Sequence, residues 1–171
     1  MNANDVHLEA LRWAYDLLGM VMADATDEMA HTMPPGTANP LASTYAHALL
    51  GLDHIPRVFL QGKAPLYEGA WAGRTGISEI QWYSSRDWAR RVRVDLPAAA
   101  AYGRAAYEDT AAFIASLDED GFARQVDLTS NGLGVQTVSW CISALVISHL
   151  NNMAGEISVL KGIQGHQGYP F

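Results

Sequence analysis

From Thr137 to Gly162 the chain reads TVSWCISALVISHLNNMAGEISVLKG, its longest uninterrupted apolar-rich stretch. Trp140, Ala144, Leu145, Ile147, Met153, Ile157 and Leu160 follow a 3.6-residue period, which predicts a helix with a broad apolar face, the inner helix of a bundle. Polar residues interrupt it. His149, Asn152 and Glu156 are spaced three and four apart, so they share one side of that helix with Met153. A face built only for packing would carry Leu or Ile there, because unpaired polar groups cost free energy when buried. These residues therefore either line a polar pocket or pair with one another.

The remaining helices can be placed around this one. Asn4 or Asp5 caps a first helix whose apolar positions run from Val6 through Leu11, Trp13, Leu18 and Val21 to Met29, with an expected end near His31. MPPGTANP, residues 33–40, stops it. Asn39 as cap and Pro40 as first residue open a second helix carrying Leu41, Tyr45, Leu49, Leu52 and Phe59 as far as Gly62, with a kink expected at Pro56. Residues 63–94 show no sustained period, yet hold Tyr67, Trp71, Trp82, Tyr83 and Trp88; a short helix is expected over residues 84–91. A connection of this length is unusual inside a compact domain and carries structure or function of its own. It is also long enough to return along helix two, so helix three can run parallel to it. Asp95 and Pro97 open that Ala-rich third helix, expected to end near Asp118. Two alternating segments around TSNGLG predict a small β-hairpin before helix four.

Composition narrows the function classes. With 171 residues, 49% of them hydrophobic, the chain is expected to form one domain over residues 1–171. A net charge of -7 argues against a partner recognised through its phosphate backbone, so no nucleic acid is expected. No stretch has the length and apolarity to cross a bilayer, and the opening residues lack the pattern of a signal peptide. Cys141 is the single cysteine, so no internal disulfide forms and a reducing, cytoplasmic setting is expected. Walker loops, dinucleotide fingerprints, serine-hydrolase elbows and H-E-x-x-H motifs are absent from the sequence.

Two stretches carry a family resemblance. AHALLGLDHIPRVFLQG supplies His47 and Gly62, and HLNNMAGEISVLKGIQG supplies His149, Gly155, Glu156, Ile157 and Gly165. In their order and spacing these segments resemble the DinB/YfiT-like superfamily of metal-dependent four-helix bundles, which includes bacterial thiol-dependent S-transferases. The resemblance implies an all-α, up-down-down-up four-helix bundle with its long connection between helices two and three. It also implies a homodimer, with Trp13 and Met20 of helix one as candidate interface residues. His47 and His149 would be metal ligands for Zn or Ni, and a low-molecular-weight thiol or another small molecule the ligand. Met153 stands where the family has a further histidine, and a thioether is a poor donor to Zn²⁺ or Ni²⁺. Two functional readings follow: a metal-dependent thiol transferase with a degenerate site, and a metal-free ligand-binding or scaffold protein with the same cavity.

Each candidate has an ordinary alternative. His47 and His149 are either ligands or hydrogen-bonded core histidines. His54, seven residues after His47, either joins the site or sits at the helix boundary. Asn152 either contributes its amide oxygen or bonds to another helix. Met153 either contacts a cofactor or fills a gap. Glu156 either orients a histidine or is a solvated charge. Cys141 is read as a small buried residue. His31 and His166 are read as exposed. The loop aromatics either cover a pocket or pack the connection against the bundle.

Overall fold

A computed structural model describes residues 2–171. α1 (Ala3–Met22) begins with a capping box in which the Asn2 side chain accepts from the Asp5 amide and the Asp5 side chain accepts from the Asn2 amide. The cap thus lies at Asn2, upstream of the expected Asn4 or Asp5. The helix also stops short of His31. Thr26 accepts from the Met29 amide and starts a separate short helix, α2 (Asp27–His31). A β-region Thr26 cannot lie inside a continuous helix, so the chain turns there.

α3 (Leu41–His54) follows Pro40, which occupies the cap position without a side-chain bond to the helix amides. The expectation of Asn39 as cap and Pro40 as first helical residue is therefore shifted by one. Instead of a sharp kink, Pro56 is absorbed by a π-helical extension (Ile55–Leu60) that continues α3 to the left-handed Gly62. A wider turn tolerates the missing amide of proline because the hydrogen-bond ladder is already offset there.

The long connection begins with a 3₁₀ turn (Leu66–Glu68) and ends with α4 (Arg86–Arg91), capped by Ser85. Fully buried Trp88 donates its indole N–H to the Glu79 carbonyl at 2.9 Å, and Ile77 bridges to Val94. Within the connection, Gly76 (φ +72°) accepts from the Asp95 amide at 2.8 Å, and its Cα sits so close to the start of α5 (Leu96–Ala115) that a Cβ would lie 2.7 Å from the Ala99 nitrogen. Asp95 caps α5 as expected.

α6 (Glu119–Ala123) leads to the predicted hairpin: β1 (Gln125–Leu128) pairs antiparallel with β2 (Gly134–Thr137), Gln125 opposite Thr137 and Leu128 opposite Gly134. The last long helix is continuous but changes pitch: α7 (Val138–Cys141), a π-helical stretch (Ile142–Ile147), then α8 (Ser148–Ile163). The wider turn rotates the inner face away from the one expected. Val138, Cys141, Ile142, Val146, Leu150, Ala154 and Ile157 are buried, whereas Trp140 is exposed and Ala144, Leu145 and Ile147 are half-buried. A fixed 3.6-residue period cannot register such a step.

The fold is mostly helical with one small two-stranded sheet. α1 packs on α8 and α5, and α3 packs on the same two helices from the other side, so the four share one core. Gly103 lets α5 approach α3 closely: a Cβ there would meet Leu49 Cδ2 at 2.6 Å. No helix among the described residues is long and apolar enough to cross a membrane.

Candidate functional site: an imidazole pair beside an aromatic clamp

His47 on α3 and His149 on α8 face each other across the α3–α8 contact, their ring centroids 4.7 Å apart and their planes at 67°. Gly51, one turn after His47, leaves room for the His149 ring, whose Cε1 would just touch a Cβ there at 3.6 Å. His47 Nδ1 lies 3.1 Å from the Trp82 carbonyl oxygen. A carbonyl only accepts, so this bond places the proton on Nδ1 and leaves the Nε2 lone pair free. Both rings are half-buried. Burial holds the His47 imidazolium below its usual range, against a smaller upward pull from the Trp82 bond. For His149, burial and then the neighbouring His47 bring the pKa down to about 4. The site is therefore a pair of neutral imidazoles at neutral pH.

His54 belongs to an adjoining group. Its ring is stacked on Trp82 at 4.5 Å and 3°, meets Phe59 edge-on at 5.2 Å, and its Nδ1 is 2.7 Å from the Tyr67 hydroxyl. The clamp starts at Asp53, the residue before it. The buried Asp53 carboxylate accepts from the Leu66 amide at 2.9 Å, the Tyr67 amide at 3.1 Å and the Tyr102 hydroxyl at 2.7 Å. That cage ties the 3₁₀ turn to α3 and aims Tyr67 at His54. Trp82 then serves both groups, with its ring on His54 and its carbonyl on His47. Tyr67 and Trp82 therefore pack the connection against α3. Tyr83, by contrast, points to solvent.

The other candidates are dispersed. Met153 is half-buried, packed against the core one turn after His149. Asn152 and Glu156 are exposed, and among the described residues neither side chain hydrogen-bonds to a neighbour. The expected link from Asn152 to another helix is not made, because the π-helical step turns its position outward. Partial desolvation still raises the Glu156 pKa, and Glu156 lines a shallow groove with Asn39, Thr44 and Val159 rather than facing the histidines. Cys141 is buried, with its thiol pKa pushed up. His166 is exposed as expected. His31 is not: its Nε2 accepts from the Val94 amide at 3.1 Å, and only 12% of its side chain is exposed.

Whether these residues fit a divalent ion is decided by their donors. His47 has the orientation of a ligand, one ring nitrogen on a carbonyl and the other free. Yet among the described residues no three His, Cys, Asp or Glu side chains gather. His54 is committed to its clamp, and the remaining neighbour is a thioether. Catalytic zinc takes three imidazole, carboxylate or thiolate donors from protein and keeps one open position. Two imidazoles and a methionine do not meet that requirement.

Sequence reasoning missed Asp53 and the role of the Trp82 carbonyl, although it named the Trp82 ring among the loop aromatics. An aspartate in the last turn of an otherwise apolar helix was a usable signal for the first. The second acts through its backbone carbonyl, which no side-chain pattern marks.

A sequence model describing the DinB superfamily matches residues 10–157. Among solved structures, a crystal structure of a conserved protein from Enterococcus faecalis is similar, with a TM-score of 0.80 at 17% identity over 95% of this chain and 97% of that one. At this identity the likeness shows the fold alone. No curated protein matches.

Proposed function

This chain belongs to the DinB superfamily, and we propose that it is a member that binds a small hydrogen-bonding molecule without a metal, its four long helices forming a bundle that runs up-down-down-up. The observation that carries this reading is the pair of neutral rings 4.7 Å apart, with His47 Nδ1 committed to Trp82. His47 Nε2 offers a lone pair, His149 a second ring, and the His54–Trp82 stack an apolar wall. Bundle cores place ligand sites between facing helices in this way, with few polar groups in apolar surroundings.

A low-molecular-weight thiol suits such a site as a hydrogen-bond donor, S–H to Nε2. It stays a thiol there. Burial holds the His47 imidazolium below its ordinary range, and a free thiol at about pKa 8.5 lies above that range, so proton transfer to Nε2 is uphill. The metal-dependent transferase reading needs the ion to supply a thiolate, and the donor set argues against that ion.

The test is a titration of histidine-labelled protein with N-acetylcysteine, followed through imidazole nitrogen shifts. Saturable shifts at His47 and His149, lost in His47→Gln, are expected. Absence of any shift at these two rings would remove the proposal.

A further inference from the structure

A second pair of polar side chains, Tyr45 on the opposite face of α3 and Tyr15 on α1, lines one groove. Tyr45 is two residues before His47, about 200° away around the helix. It is 6% exposed. Its ring is buried, while its hydroxyl reaches the open space of the groove and takes no protein hydrogen bond among the described residues. It lines a hollow of about 210 Å³ together with Tyr15, Leu18, Gly19 and Met22 of α1 and Ala100 of α5. Tyr15 is held in place by stacking on Tyr107 at 4.6 Å and 17°. Its hydroxyl also has no hydrogen-bond partner among the described residues.

The hollow opens into a cleft of about 1080 Å³ that shares Met22, Ala23, Tyr45 and Ala100 and continues past α2 to Leu96 and Pro97. The small side chains of Ala23 and Ala100 leave this space between α1 and α5. A cavity of roughly 150 Å³ already accommodates a benzene ring, so the inner hollow has room for one ring or a short branched chain.

The polar chemistry narrows the ligand. Burial raises the phenol pKa of both tyrosines, that of Tyr15 to about 12. Both therefore remain donors at neutral pH. Two O–H donors lining one hollow ask for an acceptor oxygen. The surrounding charge decides whether that oxygen belongs to an anion. Arg104 is paired with Glu108 at 2.7 Å, and Arg12 lies 3.9 Å from Asp16. Along the cleft, Asp27 and Asp95 stand against Arg93, with His31 turned to Asp27 and the Val94 amide. A carboxylate would enter a region with no surplus of positive charge, in a chain of net charge -7.

We propose that the groove between α1, α3 and α5 is a second ligand site, separate from the histidine pair, taking a small neutral molecule whose apolar ring or short chain fills the hollow and whose carbonyl oxygen accepts from Tyr15 and Tyr45.

Three probes of one size separate the alternatives: acetophenone carries the ring and the carbonyl, ethylbenzene the ring alone, and benzoate the ring with an anion. Binding is followed by methyl and amide shifts at Leu18, Met22 and Ala100. Acetophenone is expected to saturate these signals while leaving His47 and His149 unmoved, and to bind more tightly than the other two. Tyr45→Phe keeps the ring and removes one donor, so it should weaken acetophenone roughly three- to tenfold and leave ethylbenzene unchanged. Should that variant fail to fold, Tyr15→Phe at the more open end is read in its place with the same expectation. Equal binding of ethylbenzene and acetophenone, tighter binding of benzoate, or no saturable shift with acetophenone overturns the proposal. Since the reporting residues are distinct, failure here leaves the histidine site untouched.

Discussion

Burial keeps His149 neutral at a pH where an exposed imidazole would be charged, and that has a consequence for stability. Its folded pKa, about 4, lies below the ordinary 6.5, so between those values the unfolded chain binds a proton that the folded chain refuses. Stability therefore falls as pH drops from about 6.5 toward 4, and this contribution is fully present above 6.5. His47 and His54 are shifted in the same direction by burial. Urea midpoints measured from pH 7 to 4.5 should decline less steeply in His149→Gln than in the parent chain; parallel curves would mean the ring is not held neutral. Trp82→Ala removes the ring stacked on His54 and keeps the carbonyl that holds His47. Its expected signature is a changed His54 imidazole nitrogen shift, with the His47 tautomer and the helical circular-dichroism signal retained.

At the scale of elements, the sequence showed what periodicity and caps can show. Asp95 with Pro97, the hairpin around TSNGLG, the stop at Gly62 and the short helix over Arg86–Arg91 all lie close to their expected places. His47 and His149 were named together through the family resemblance; from the residues alone each read as well as a hydrogen-bonded core histidine. The π-helical turns at Ile55–Leu60 and Ile142–Ile147 were not legible, since an extra residue per turn leaves no compositional mark, and the second one displaced the expected inner face by enough to turn Trp140 and Asn152 outward. The helix break at Thr26 was hidden by apolar residues on both sides of it. The long connection owes its order to tertiary contacts, and Gly76 is where this can be tested. Gly76→Ala forces a side chain into a left-handed backbone and against the α5 backbone, a cost of about 1–3 kcal/mol. A lowered urea midpoint and faster proteolysis between residues 63 and 94 are expected, whereas a parent-like midpoint would show that the connection is not anchored there.

Across the whole molecule, α1 presents Val6, Trp13 and Met20 to solvent at intervals of seven residues, one stripe along the helix. Pairing of this stripe with a second copy predicts a light-scattering mass twice the 18.6 kDa of the chain at micromolar concentration, reduced to one chain by Trp13→Glu. A single-chain mass for the parent protein would contradict it. At the other long-helix contact, α3 and α8 bring two imidazoles together, and among the described residues no third His, Cys, Asp or Glu joins them as a metal site. Met153 lies one turn after His149, so Met153→His would set two imidazoles on adjacent turns of α8 opposite His47, an arrangement that zinc-binding helices use. Calorimetry of Zn²⁺ into untagged protein, parent beside Met153→His, is the direct measurement. No stoichiometric binding to the parent and one ion per chain in the variant are predicted. One tightly held Zn²⁺ in the parent chain would contradict the metal-free account.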